Sequence, residues 1–125
     1  AGIQDLTMTH LKYNNGIEGH IFVSWLHPFK EHRLVVVGSE GMITFEDSVK
    51  EKPLKIYSKK FDFHNGIPEK VDGPVELVHF ENKLPLTAEM EYFIENLKNK
   101  DFKIANIYHA LDVIKILVEA SEQIN

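Results

Sequence analysis

The chain contains no cysteine. Disulfides, thiolate nucleophiles and cysteine-ligated metals are therefore excluded, while the redox compartment stays open. No apolar run reaches the roughly 18 residues that a membrane-spanning helix requires. Cations are in short supply: 14 Lys and Arg stand against 19 Asp and Glu, a formal net charge of −5. That balance argues against general affinity for nucleic acid or an anionic membrane, since both reward a basic patch. There is no glycine-rich loop running into a helix, so no phosphate cradle; Gly38-Ser-Glu-Gly41 reads as a hairpin turn instead. No GxGxxG follows a strand, so the cofactor fingerprint of a dinucleotide-binding fold is missing.

What remains is an ordinary soluble globular composition. The 125 residues are 43% hydrophobic and 26% charged, which suits one domain, residues 1–125, with a real core. AGIQDLTMTH is not a signal peptide. It opens inside a strand-like run, as a piece of a longer protein would.

The chain divides by period. Residues 5–80 favour strands. DLTMTHLKY alternates, NNG turns, and IEGHIFVSWL alternates again. Asn15-Gly16 is a strong signal for a two-residue type I′ hairpin, which would set Tyr13 against Glu18 and Leu11 against His20. HPFKE breaks the pattern at Pro28. RLVVV is apolar on both faces and reads as a strand buried twice over. MITFED, PLKIYS, FDFH and VELVHF are further strands, and IPEKVDGP reads as a loop rich in turn formers. Residues 85–124 change to a helical period. Leu86, Met90, Phe93, Ile94 and Leu97 mark one helix face, with Pro85 in its first turn. A second helix spans about 106–123, with Ile107, Ala110, Leu111, Ile114, Leu117 and Val118 as its stripe and Asn106 as N-cap.

Strands first and helices last mean an α+β fold: an open, mostly antiparallel sheet with two C-terminal helices packed on one face. Phe22, Leu26, Leu34 and Val36 can share one side of that sheet, and Ile21, Val23, Trp25, Val35 and Val37 the other. Both sides are then apolar, and an uncovered apolar face of that width meets a partner. The expected partner is a second copy or another domain.

No chemistry stands out. The seven His make no HxxxH or HExxH pattern. A three-residue loop in the first hairpin would bring His10 opposite His20, but two ligands fall short of the three or four that zinc wants. The histidines are read as scattered, with no metal site. Adjacent Glu46 and Asp47 point to opposite faces of a strand and cannot share a proton. Trp25, His27, Lys30 and His32 bracket Pro28. A Trp wall with cationic neighbours suits a sugar or a nucleotide phosphate. The plainer alternative has Trp25 filling the core while Lys30, Glu31 and Arg33 form a solvated loop.

LKYNNGIEGHIFVSWLHPFKEHRLVVVGSEGMITFEDS, then KPLKIY, PLTAEMEYFIENLKNK and HALDVIKILVEASEQI, resemble in order and spacing the C-terminal domain of the Gfo/Idh/MocA oxidoreductases. SWLHPFKEHRLVVVGSEGM is the most specific part, and it is similar to members acting on UDP-N-acetylglucosaminuronate as 3-dehydrogenases. The resemblance implies a cytoplasmic enzyme whose N-terminal Rossmann domain binds NAD or NADP. Its C-terminal open sheet would line the substrate site and build a dimer or tetramer. The cofactor domain is absent from this chain, and the family's catalytic His is expected ahead of Ala1. Glu51-Lys52-Pro53 matches the family's catalytic tripeptide only by coincidence, since no cofactor fold precedes it. No catalytic, cofactor-binding or metal-binding residue is thus assigned here. Ser24-Trp25 would end a central strand facing the substrate, and Trp25, His27, Lys30 and Arg33 are the candidate contacts to a sugar or UDP-sugar, or to a neighbouring subunit. Hydride transfer to the nicotinamide would need the whole enzyme, so the chain alone is expected to be inactive. The alternative is a stand-alone, non-catalytic binding or scaffold domain of the same fold.

Overall fold

The computed structural model describes residues 4–124. They form two compact units, one made of the segment through Leu26 together with that from Lys83 onward, the other of His27–Asn82. The class is α+β, with antiparallel pairing throughout.

In the first unit, β1 (Leu6–Lys12) and β2 (Glu18–Ser24) form a hairpin. The loop is not the expected two-residue turn. Gly16 N–H donates to Tyr13 O at 3.0 Å and Tyr13 N–H to Ile17 O at 2.9 Å, leaving three residues in the loop. Gly16, at φ +83°, takes the left-handed position, which makes this a type I turn with a glycine bulge. The register follows: Lys12 faces Glu18, His10 faces His20 and Met8 faces Phe22. Asn-Gly therefore marked the turn correctly but not its length. Asn15 Oδ1 also accepts from Ile17 N–H at 3.1 Å, a side-chain turn that favours the longer loop.

Two helices complete this unit. Helix α1 (Pro85–Asn96) starts with proline where a missing N–H costs nothing. Helix α2 (Ile107–Glu122) is capped by Asn106, whose Oδ1 accepts from Tyr108 N–H at 3.0 Å and His109 N–H at 3.1 Å. Phe102, between the helices, stacks on Phe93 at 5.9 Å and meets Tyr92 edge-on at 6.2 Å. The Tyr92 hydroxyl accepts from Ile104 N–H at 3.1 Å. Ile116 and Ala120 of α2 are half-buried, and they share a cleft with Thr9 and Leu11 of β1. The expected stripe is the exposed one: Leu111, Ile114, Leu117 and Val118 all face outward. Helix α2 is apolar on more than one side, so its period alone does not say which side is covered.

The second unit holds β3 (Arg33–Val37), β4 (Met42–Glu46), β5 (Leu54–Tyr57), β6 (Lys60–His64), β7 (Ile67–Val71) and β8 (Val75–Val78). Four of these make an open sheet in the order β3-β4-β5-β8, and β6-β7 is a separate hairpin. The register aligns Val36, Ile43, Ile56 and Glu76 on one face, beside Leu34, Phe45, Leu54 and Val78. Phe80 meets Phe45 edge-on at 6.0 Å. The other face mixes Val35, Val37, Met42, Tyr57, Val75 and Leu77 with Arg33, Thr44, Glu46 and Lys55. The half-buried middle of the sheet is β4-β5. RLVVV is not the doubly buried strand its composition suggests: β3 lies at the edge, and Val36 is 53% exposed. A short apolar run records β-propensity, not position in a sheet.

IPEKV is also a strand and not a loop. Asn65 and Gly66, at φ +53° and +81°, form a two-residue type I′ turn. Pro68 lies opposite Phe63, one residue beyond the closing His64–Ile67 pair, at a site where a missing N–H breaks no ladder bond. The hairpin leaves the sheet beside Ser58 N–H···O Pro74, at 3.0 Å. A Cβ on Gly73 would lie 2.0 Å from Ser58 O, so only glycine fits this corner.

Among the described residues none is fully buried, and no helix is long and apolar enough to cross a membrane.

Candidate functional site

Trp25 follows β2 directly. Its N–H donates to Asp5 O at 2.9 Å, which closes the open end of the first hairpin. Its side chain is 84% exposed, so it does not fill a core.

The other three candidates belong to the second unit. His27 is held by its own loop. Its Nδ1–H donates to Phe29 O at 2.7 Å, and its ring meets Phe29 edge-on at 6.2 Å. That bond fixes the tautomer. Nε2 is then the outward nitrogen, 3.8 Å from the Glu31 carboxylate. Arg33 opens β3 opposite Glu46. Among the described residues, neither Lys30 nor Arg33 has a carboxylate within ion-pair distance. In a chain of net charge −5, two exposed cations so close in sequence without a carboxylate mate are groups an anion can use.

Beside them lies a network that sequence reasoning missed. The β4–β5 connection curls so that Lys52 Nζ reaches Asp47 Oδ1 at 2.6 Å. Lys52 takes φ +43° to do so. His32 Nδ1 stands 3.8 Å from Asp47 Oδ2, and His32 O accepts from Asp47 N–H at 2.8 Å. Ser48 Oγ accepts from His32 N–H at 3.3 Å and donates to Glu46. The Asp47 carboxyl is held below its ordinary value of 3.8, first by the hydrogen bond from Lys52, with burial opposing and the charges of Lys52, Lys30 and His32 adding to it. Lys52, from the Glu-Lys-Pro tripeptide, is thereby occupied as a clamp on the turn between two strands.

On the first hairpin, His10 Nε2–H donates to Glu18 Oε2 at 3.2 Å, and Lys12 Nζ lies 3.7 Å from Glu18 Oε1. His20 stands opposite His10, with ring centroids 6.1 Å apart. A shallow cleft of about 340 Å³ runs between β1 and α2, with His10, Lys12 and Tyr13 on one side and Glu119 and Gln123 on the other. Among the described residues no group of three or more His, Asp or Glu converges as a metal site. No protein-family model, curated protein or solved structure matches the chain.

Proposed function

We propose that the chain is the substrate-binding and oligomerisation domain of an NAD(P)-dependent sugar or sugar-nucleotide dehydrogenase of the Gfo/Idh/MocA type. The observation that carries this is the four-stranded sheet. Leu34 and Val36 on one face, and Val35 and Val37 on the other, are 62%, 53%, 43% and 75% exposed. Apolar surface of this extent on both sides of an open sheet is a contact surface for other protein. In such an enzyme this domain supplies walls and contacts while a separate nucleotide-binding domain supplies the redox centre. Trp25, His27, Lys30 and Arg33 are the proposed contacts. In the first unit the Trp25 indole offers a flat apolar wall to a sugar ring; in the second, Lys30 and Arg33 are cations that a phosphate or carboxylate can meet.

The coding sequence upstream of Ala1 tests the reading. An in-frame segment encoding a Rossmann domain is expected, and a start codon immediately before Ala1 would favour a free-standing scaffold instead. In the full enzyme, Trp25→Ala should raise KM for the sugar substrate while leaving cofactor binding unchanged. A fall in melting temperature with kinetics untouched would remove Trp25 from the site. NAD reduction by residues 1–125 alone would overturn the assignment.

A further inference from the structure

We propose that His10 and His20 form a two-histidine chelate for a late first-row divalent metal ion. The hairpin register is the starting point. Tyr13–Ile17 and Asp5–Trp25 are hydrogen-bonded pairs, so the bonded pairs fall at odd positions of β1 and the even ones are non-bonded. His10–His20 is therefore a non-hydrogen-bonded pair. In such pairs the side chains stand closest, with Cα atoms at about 4.5 Å. Both imidazoles rise from the same face, both are exposed, and their centroids are 6.1 Å apart. Two rings sharing one ion through bonds of about 2.0–2.1 Å stand slightly closer than this. Rotation of two exposed side chains covers the difference.

The second observation is Glu18. Its carboxylate accepts from His10 Nε2–H at 3.2 Å. That leaves the lone pair on Nδ1 and makes the ring a better donor, as in the carboxylate–histidine–metal arrangement. Lys12, 3.7 Å from the other carboxylate oxygen, keeps Glu18 in place. The site has two protein ligands, with water filling the remaining positions. Imidazole is a ligand for Cu²⁺, Ni²⁺ and Zn²⁺; zinc prefers three or four protein ligands, so with two ligands Cu²⁺ binds most tightly. This proposal is independent of the assignment as a dehydrogenase domain.

The test is calorimetric titration of the chain with CuCl₂ and with ZnCl₂ at neutral pH. One ion per chain is expected, tighter for copper, with affinity falling as the pH is lowered because the ligands must be deprotonated. His10→Gln and His20→Gln should each abolish it, and His79→Gln should not. Glu18→Gln should weaken it roughly ten- to a hundredfold. Line broadening of wild-type amide resonances by Cu²⁺, centred on β1 and β2, gives a readout that does not depend on any variant folding. Binding that survives both His10→Gln and His20→Gln, broadening centred elsewhere, or no stoichiometric binding at all would each overturn the proposal.

Discussion

Two glycines show how differently one residue type is used. Gly73 is confined by space: an added Cβ would lie 2.0 Å from Ser58 O, a backbone atom that cannot rotate away. Gly16 is confined only by its dihedral, φ +83°, with nothing within 4 Å. Gly16→Ala should therefore cost about 1 kcal/mol, the left-handed penalty alone. Gly73→Ala forces strand β5 or the Gly73 corner to shift, and should cost about 1–3 kcal/mol. Urea denaturation of both variants checks the order, and a Gly16→Ala variant as damaged as Gly73→Ala would contradict it. Asp47 supplies a pH dependence with a definite sign. Its folded pKa lies below the ordinary 3.8, chiefly through Lys52. The stability this contributes is present above the unfolded value and is lost as pH falls through the folded one. Asp72 behaves alike through Lys70 and Lys59. Asp47→Asn should flatten the acid limb of the stability curve below about pH 4. Equal acid losses in wild type and variant would show that the clamp carries no stability.

At the scale of elements, the helix ends illustrate what local chemistry decides. Asn106 satisfies two N–H groups at the start of α2, and Asn106→Ala should cost about 1 kcal/mol. The loss is measurable as a lower urea midpoint by circular dichroism, and an unchanged midpoint would mean that α2 is held by other contacts. Both helix starts were legible in the sequence, because a proline and a capping asparagine act within four residues of themselves. The two Asn-Gly hairpins were legible only in part. At Asn65-Gly66 the dipeptide makes the two-residue turn it favours, and Pro68 gives the strand that follows the composition of a loop. At Asn15-Gly16 the same dipeptide makes a three-residue loop, because Gly16 alone adopts positive φ. Turn residues announce a reversal, while the ladder beyond them chooses the register, and that choice decides whether His10 meets His20.

At the scale of the molecule, the α+β class followed from period alone: alternation first, then threes and fours. Sheet order did not, since β3 and β4 are similarly apolar but only β4 lies between two neighbours. The proposed contacts at Trp25, His27, Lys30 and Arg33 come from the residue types in one segment, while the lack of an ion-pair partner for Lys30 and Arg33 among the described residues is visible only in the structure. The Asp47–Lys52 clamp was not legible in the sequence, since its geometry depends on a left-handed lysine. The edge position of β3 makes Val36 a probe of assembly. With Val36 53% exposed, Val36→Asp should leave the chain folded by circular dichroism while lowering its sedimentation coefficient, because a charge is not tolerated in an apolar contact. An unchanged sedimentation coefficient would count against the proposed self-association through this sheet.

The same edge has a practical cost. β3 hydrogen-bonds to β4 through its even-numbered residues, so the amides and carbonyls of Arg33, Val35 and Val37 point away from the ladder. Within β3, Arg33 is the lone charge, and neither proline nor bulge interrupts the run. Such an edge is a template on which a further copy can pair, strand upon strand. When the chain is concentrated apart from its natural surroundings, slow fibril growth that binds thioflavin is the expected fate, and a lysine in place of Val35 is the gatekeeper that should stop it.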